Sequence, residues 1–235
     1  MSYFGYVRLP MKIQRGKLYA VITGDIIGSS RLPEVDRRRL HQVMKKASAK
    51  LHKAFGKAVP LDVDIFRGDS WQLLVADPIK SLRIGLFYRA FIRVKMQSNK
   101  IDTRMSIAVG TIDFIPGNRV SSGDGSAYRR SGAALAKMLR PYRICFEGIE
   151  KESEQRLNAV EAVVQLIDVL AMNWTEKQAQ AITGALQGWT QEKIAKSWWE
   201  NPITQQAVGQ HLDKAGWHAV ANGLRFFEDR VKDML

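Results

Sequence analysis

Residues 18–147 alternate between strand-like and helix-like hydrophobic patterns, whereas only helix-like patterns follow Trp174. The first part follows the order β-α-β-β-α-β-α-β, which predicts a split βαβ, ferredoxin-like sheet with helices packed against one face. The second part predicts an all-α domain. We therefore expect an α+β fold class, in which a helical C-terminal domain follows an α/β domain.

The change of pattern also predicts where the chain divides. We expect an N-terminal extension over residues 1–16, the α/β domain over 17–150, a connecting helix over 151–172 and a helical domain over 173–235. Within the α/β domain, two short strands at 61–66 and 71–75 flank an Arg-Gly-Asp-Ser segment. Glycine in such a segment is typical of a hairpin turn with positive φ.

Composition limits the class of protein. The 235 residues are 46% hydrophobic and 25% charged, as in globular proteins. We expect no membrane partner, because no run of about 18 apolar residues occurs, and no secretory signal, because the start is polar and aromatic. The lone Cys145 cannot form an internal disulfide, which favours a reducing, cytoplasmic location.

The net charge of +13 is unevenly distributed. Residues 1–150 hold 27 Lys and Arg against 12 Asp and Glu, whereas residues 151–235 hold 9 against 11. A basic surface of this kind indicates a polyanionic partner such as nucleic acid or a nucleotide, or only a solubilising surface. The helical part is therefore not the basic part.

Two carboxylates follow strand patterns at distant positions, Asp25 after the first strand and Asp69 in the hairpin. In a split βαβ sheet these strands can be neighbours, so the two side chains can converge. Converging carboxylates favour Mg²⁺ or Mn²⁺ together with a phosphate ligand. The alternative is that both are ordinary turn or capping residues.

Four segments resemble motifs of class III nucleotidyl cyclases. These are Asp-Ile-Ile-Gly at 25–28, Phe-Arg-Gly-Asp-Ser at 66–70, Arg-Met-Ser-Ile-Ala-Val-Gly at 104–110 and the helix start at 125–131. The SatD family of cyclase-like bacterial proteins is more similar still. It shares Gly-Asp-Ile-x-x-Ser at 24–29, Gly-Asp-x-x-Gln at 68–72 and Asp-Gly-x-Ala-aromatic at 124–128.

The resemblance implies a metal at Asp25 and Asp69 and a nucleotide or phosphate near Gly28 and Ser29. Arg129 and Arg130 stand near a predicted helix N-terminus, where basic side chains and free N–H groups bind phosphate; the alternative is a solvated basic face. The chain departs from the cyclase pattern at Ile65, where a base-reading lysine is expected, and at Ala133, where a phosphate-stabilising arginine is expected. We therefore expect little or no cyclase activity.

The helical part contains two threonine-led segments, Thr-Gln-Glu-Lys-Ile-Ala at 190–195 and Thr-Gln-Gln-Ala-Val-Gly-Gln-His-Leu at 204–212. They resemble the helix-turn-helix of bacterial transcription regulators and sigma-like domains, with Val208 and Leu212 facing inward. The resemblance and the helical periodicity predict a set of DNA-binding residues: Thr204, Gln205, Gln206, Gln210 and His211. The connector at 197–203 is longer than usual, and its Trp198 and Trp199 are expected to be packing anchors.

We therefore expect a DNA-binding transcription regulator whose cyclase-like domain dimerises and binds a nucleotide or phosphate. A homodimer is implied because two-fold operators need paired recognition helices. Two alternatives stay open: a metal-dependent nucleotidyl cyclase or nucleotidyltransferase regulated by its helical domain, and a non-catalytic protein-interaction module.

Overall fold

A computed structural model describes residues 11–97, 101–149 and 152–235. Residues 1–10 of the predicted N-terminal extension lie outside the described residues. So do residues 150–151, where the α/β domain was predicted to meet the connecting helix.

The α/β part contains the predicted order of elements. They are β1 (Tyr19–Ile27), α1 (Glu34–Phe55), β2 (Asp64–Phe66), β3 (Ser70–Val75), α2 (Ser81–Met96), β4 (Asp102–Gly110), α3 (Ser126–Lys137) and β5 (Ile144–Glu147). The sheet order is β2-β3-β1-β4-β5, with β1 antiparallel to both neighbours and β5 parallel to β4. This confirms the α+β class and the split βαβ sheet.

Helices cover both faces of the sheet, so the prediction of helices on one face is wrong. Ala20 and Ile22 of β1 pack with α1 and α2. Tyr19 and Val21, which point the other way, pack in a second cluster with Tyr128 of α3. β1 is apolar on both sides, so each of its faces requires cover from solvent.

The first hairpin strand is shorter than predicted, because residues 61–63 do not join the ladder. The N–H of Val63 donates to Ser48 Oγ of α1 at 3.0 Å instead of to a neighbouring strand. The turn itself is as predicted: Gly68 has φ 85°, and Arg67 beside it has φ 51°.

Five helices follow: α4 (Glu154–Met172), α5 (Glu176–Ala185), α6 (Gln191–Lys196), α7 (Gln205–Lys214) and α8 (Trp217–Met234). Threonine side chains cap the three middle helices. Thr175, Thr190 and Thr204 each accept a hydrogen bond from the backbone N–H three residues later. Within the described ranges, none of these helices, nor α1–α3, is long and apolar enough to cross a membrane.

The helical part packs directly on α2. One hydrophobic cluster runs from the sheet through α2 into α5, α7 and α8, and includes Phe91, Ile182, Val208 and Phe227. α2 is buried around most of its circumference because it lies between the sheet and these helices. The division of the chain near residue 172 stays a prediction, and the side chains on its two sides share one core.

Ion pairs inside that core join α2, β4 and α4. Arg89 of α2 binds Asp102 of β4 through both carboxylate oxygens, each at 2.8 Å, and Asp168 of α4 at 2.6 Å. All three side chains are at most 2% exposed. Asp168 also accepts the N–H of Arg143 at 2.7 Å, which places the start of β5 against α4.

Arg93, one turn further along α2, completes this buried ion cluster. It donates to Asp102 at 2.6 Å and to the carbonyl oxygens of Ala171 and Trp174 at 2.7 and 3.0 Å. Burial by itself would raise the pKa of Asp102, but the charges and hydrogen bonds of Arg89, Arg93 and Arg143 hold that pKa well below its usual range.

We predict that Asp102→Asn lowers the free energy of unfolding by about 3–5 kcal/mol, because it leaves two buried guanidinium groups without full compensation. Urea unfolding measures the change. Asp229→Asn, on the exposed face of α8, is the matched control and is expected to stay within about 0.5 kcal/mol of the parent protein. Equal losses in both variants would contradict the importance of the cluster.

The same carboxylate predicts a pH dependence. Since its pKa is lower in the folded than in the unfolded chain, its contribution to stability is complete above the unfolded value of about 4 and is lost as pH falls further. The unfolding free energy of the parent protein is therefore expected to fall below about pH 4. That fall should be shallower in Asp102→Asn when both are followed by urea unfolding at a series of pH values.

Candidate functional site

The structure brings four of the predicted site residues to one end of the sheet. Asp25 near the end of β1 is paired with Ser70 of β3, the residue after Asp69. The carbonyl oxygen of Asp69 accepts the N–H of Ile26 at 3.2 Å. Gly28 turns the chain with φ 83°, and Ser29 Oγ donates to Asp69 Oδ2 at 2.5 Å. The hairpin and the loop after β1 thus meet as expected.

The carboxylate of Asp25 is held by Arg104, the residue opposite it on β4. Arg104 donates from Nη2 at 2.6 Å and from Nε at 3.0 and 3.2 Å, so both Asp25 oxygens are occupied. The Asp25 and Arg104 side chains are 25% and 38% exposed. Their hydrogen bond raises the pKa of Arg104 although burial acts in the opposite direction.

The Asp25–Arg104 ion pair affects whether the predicted metal ion can bind at Asp25. A divalent cation needs free carboxylate oxygens, and a guanidinium already neutralises those of Asp25. Asp69 keeps one oxygen bound to Ser29. In the described parts of the chain, no group of three or more His, Cys, Asp or Glu is placed to hold a metal ion. The arrangement of Asp25 and Asp69 therefore does not fit Mg²⁺ or Mn²⁺ while Arg104 stays bound.

The backbone of Asp25 is fixed from the opposite side of the strand. Trp71 Nε1 donates to Thr103 Oγ1 at 2.9 Å, and that hydroxyl donates to the carbonyl oxygen of Asp25 at 2.8 Å. The indole ring needs glycine at position 24, where a Cβ would lie 2.5 Å from Trp71 and 2.6 Å from the carbonyl oxygen of Arg104. Gly24 therefore serves the packing behind the site.

A cleft of about 680 Å³ opens beside Ser29 and Asp69; we call it the Asp69 cleft. Its basic lining residues come from α1 and from the hairpin turn: Arg37, Arg38, His41, Lys45 and Arg67. Glu34 also lines it and pairs with Arg38 at 3.1 Å. The excess of cationic groups suits a ligand with several phosphates, for which clustered Arg and Lys are the usual partners.

Arg129 and Arg130 are not part of this cleft. Arg129 donates to Asp124 at 2.7 Å and also pairs with Asp113. Arg130 pairs with Glu147 at 3.5 Å and approaches the carbonyl oxygen of Val109, which lies opposite Ala20. Five residues separate Ala20 from Asp25, roughly 17 Å along the strand. The predicted phosphate ligands are thus divided between the two ends of the sheet.

Ile65 and Ala133, the two residues that depart from the cyclase pattern, stand in different surroundings. Ile65 of β2 is half-buried and packs against the main hydrophobic cluster with a side chain that carries no polar group. Ala133 lies on the exposed side of α3, where its methyl group cannot stabilise negative charge. Neither position supplies the electrostatic stabilisation that phosphoryl chemistry requires.

α7 presents the predicted DNA-binding side chains. Val208 and Leu212 are buried, as expected, and Gln205, Gln206 and Gln210 are exposed. His211 differs from the glutamines. Its ring stacks on Trp198 with centroids 5.6 Å apart, and burial together with the charges of Lys177 and Lys214 lowers its pKa.

The connector between α6 and α7 is a packed structure. Trp199 contacts Phe91 of α2 with ring centroids 5.3 Å apart, and the ammonium of Lys95 lies 3.7 Å from its ring centroid. Trp198 packs against the core from the same segment. The prediction that both tryptophans are packing anchors is confirmed, and they fix how α6 and α7 sit on α2.

Sequence reasoning missed Arg104 as the partner of Asp25 and the basic side of the Asp69 cleft. Arg104 begins the Arg-Met-Ser-Ile-Ala-Val-Gly segment at 104–110, but its pairing with Asp25 depends on the register between β1 and β4. Arg37 and Lys45 lie on the polar side of α1. Their spacing predicts exposure to solvent and contains no signal for the hairpin turn opposite them.

Comparison with known proteins adds little beyond the fold. No family model matches the sequence, and no curated protein matches it. Among solved structures, the guanylyl cyclase Cya2 aligns with a TM-score of 0.43 and 11% identity, covering 59% of this chain and 77% of that one. A bacterial light-regulated adenylyl cyclase aligns with a TM-score of 0.36 and 13% identity, covering 55% and 42%. The strand order, not these alignments, establishes the split βαβ sheet.

The Asp25–Arg104 pair leads to a prediction about metals. We expect MnCl₂ to leave the melting temperature of the parent protein almost unchanged and to raise that of Arg104→Ala. Without the guanidinium, a cation that binds only the folded chain can neutralise Asp25 and stabilises by mass action. The double variant Arg104→Ala, Asp69→Asn should lose the response in a thermal-shift assay. A strong response of the parent protein would show that the ion displaces Arg104.

Proposed function

We propose that this protein is a DNA-binding transcription regulator that reads DNA through α7. The observation that carries the proposal is the geometry of this helix. Thr204 caps its N-terminus, Val208 and Leu212 are buried, and three glutamines are exposed, Gln205 and Gln206 in the first turn and Gln210 in the second. Glutamine can form paired hydrogen bonds with adenine in the major groove, which admits an α-helix.

The packing around α7 supports this assignment. Gly184 lets α5 approach α6, because a Cβ there would lie 2.5 Å from Ile194 Cγ1, and α7 packs against both helices. Such a compact three-helix arrangement holds an exposed helix rigidly. Lys177 and Lys214 lie near His211, so two cationic side chains are available beside α7, whose own acidic residue is Asp213.

The α/β part has two roles in the proposal. It forms the homodimer that a two-fold operator requires, and it binds a nucleotide or phosphate in the Asp69 cleft. The resemblance to the SatD family supports a cyclase-like domain of this kind, and the basic lining of the cleft supports the ligand class. The surplus charge of residues 1–150 also supplies attraction for the DNA backbone beside the operator.

We predict that Gln206→Ala weakens binding to the operator by about 1–3 kcal/mol and leaves binding to random duplex unchanged, because it removes a contact with a base edge. Fluorescence anisotropy with the DNA upstream of the gene measures both affinities at several salt concentrations. Gln155→Ala, an exposed glutamine of α4, is the matched control. Full-length protein is needed throughout, since residues 173–235 share their core with α2.

The regulator proposal fails if the parent protein binds the upstream DNA no more tightly than random duplex and Gln206→Ala changes neither affinity. The protein-interaction module would then be the leading explanation of the helical part. A uniform loss on both DNAs with a smaller salt slope would instead assign position 206 to a backbone contact.

The second candidate is a metal-dependent nucleotidyl cyclase or nucleotidyltransferase controlled by the helical part. The observation in its favour is that Asp25 and Asp69 stand at the same end of two neighbouring strands and that Asp69 lines a basic cleft. It requires Arg104 to release Asp25 so that Mg²⁺ or Mn²⁺ can bind, and it lacks the charged groups expected at Ile65 and Ala133.

We predict that each of the four nucleoside triphosphates with Mn²⁺ gives no cyclic product, whereas tripolyphosphate binds in the Asp69 cleft. Chromatography tests turnover, and calorimetry tests binding. The double substitution Arg37→Gln, Lys45→Gln should weaken tripolyphosphate binding because it removes two cationic groups from the cleft. Lys137→Gln, at the end of α3, is the control. A product that disappears in Asp69→Asn would favour the cyclase.

A further inference from the structure

A second cavity, of about 380 Å³, lies between the α/β part and the helices that support α7. Its walls come from α1 and α2 on one side, and from α5, α6 and the connector on the other. We call it the tryptophan cavity, because Trp189, Trp198 and Trp199 all line it. Its volume lies in the range of small-molecule sites.

The walls of the cavity combine aromatic rings with lysine side chains. Besides the three indoles, Phe87 and Phe91 provide apolar surface. Lys50, Lys53 and Lys193 line the cavity, and its described lining contains no Asp or Glu. The ammonium of Lys193 lies 4.5 Å from the ring centroid of Trp189, so a cation and an aromatic face are adjacent. Aromatic surface beside unneutralised ammonium groups suits an anion with an apolar body.

Gln180 of α5 adds a polar side chain to the wall of the cavity. Gln180 of α5 lines the cavity and is 9% exposed, yet its Nε2 has no hydrogen-bond partner among the described residues. The backbone of Gln180 is held in place, since its carbonyl oxygen accepts Thr183 Oγ1 at 2.7 Å. A buried amide N–H without an acceptor is destabilising, and an oxygen atom of a ligand would satisfy it once the Gln180 side chain rotates toward the cavity.

We propose that the tryptophan cavity binds a small organic anion, with its aromatic or alkyl body between the tryptophan and phenylalanine rings. Its carboxylate, sulfonate or phosphate group pairs with Lys50 and Lys193, and an acceptor oxygen takes the Nε2 hydrogen of Gln180. This site is separate from the Asp69 cleft and does not depend on DNA binding. A lysine-rich rim without aromatic walls would suit phosphate alone, whereas these walls require a ligand with an apolar part.

The test uses two dyes that differ by one charged group. Anilinonaphthalene sulfonate carries an aromatic body and a sulfonate, and N-phenylnaphthylamine is the same body without the sulfonate. Fluorescence titration of the full-length protein is expected to show tighter binding of the sulfonate. Lys50→Ala, Lys193→Ala should raise its Kd roughly tenfold, as expected when charge-assisted contacts are lost, and leave the Kd of the neutral dye unchanged.

The control Lys46→Ala, Lys196→Ala removes two lysines from the same two helices, outside both the tryptophan cavity and the Asp69 cleft, and should bind both dyes like the parent protein. Gln180→Leu separates a ligand contact from a structural role. It should weaken sulfonate binding and leave the melting temperature of the empty protein unchanged or higher, because it removes an unsatisfied buried donor. Equal affinity for the two dyes, or no change in the Lys50 and Lys193 variant, would overturn the proposal.

Discussion

Two arginines of α2, Arg89 and Arg93, are buried at the centre of this molecule. The packing around them depends on the carboxylates that neutralise their charges. Removing such groups from water costs several kcal/mol per ion, which is recovered only when the partners are complete and well placed. Asp102 comes from β4 and Asp168 from α4. The arginines can therefore be buried only when the sheet and the helical part are both in position.

The same cluster sets the geometry of the candidate site. Asp102 is the first residue of β4, and two residues later the register brings Arg104 opposite Asp25. Asp168 accepts hydrogen bonds from the N–H groups of Arg143 and Ile144. α4 therefore holds the start of β5 in place. The strand that places Arg104 opposite Asp25 is thus held at its first residue by the buried arginines.

Local patterns predicted most of the elements, because strand alternation, helical spacing and threonine caps act between near neighbours in sequence. The approach of the hairpin turn to the end of β1 also followed, since the order of strands in a split βαβ sheet fixes their neighbours. Pairings that depend on side chains from distant elements were not predictable in this way. Arg89 and Arg93 belong to α2, whose sequence pattern predicts an apolar helix with a basic face. No local signal distinguishes a buried arginine from a solvated one.

The buried ion cluster also limits how this architecture can be recombined. A helical segment joined to its neighbour by a flexible linker can be moved to another protein as a unit, since it carries its own core. Here the carbonyl oxygens at the end of α4 are capped by Arg93, a residue that precedes them by almost eighty positions. Transplanting residues 152–235 onto a different sheet would leave Asp168 without its arginine, unless the recipient's helix carried basic residues at matching positions. The two halves are therefore expected to be inherited, duplicated and engineered together.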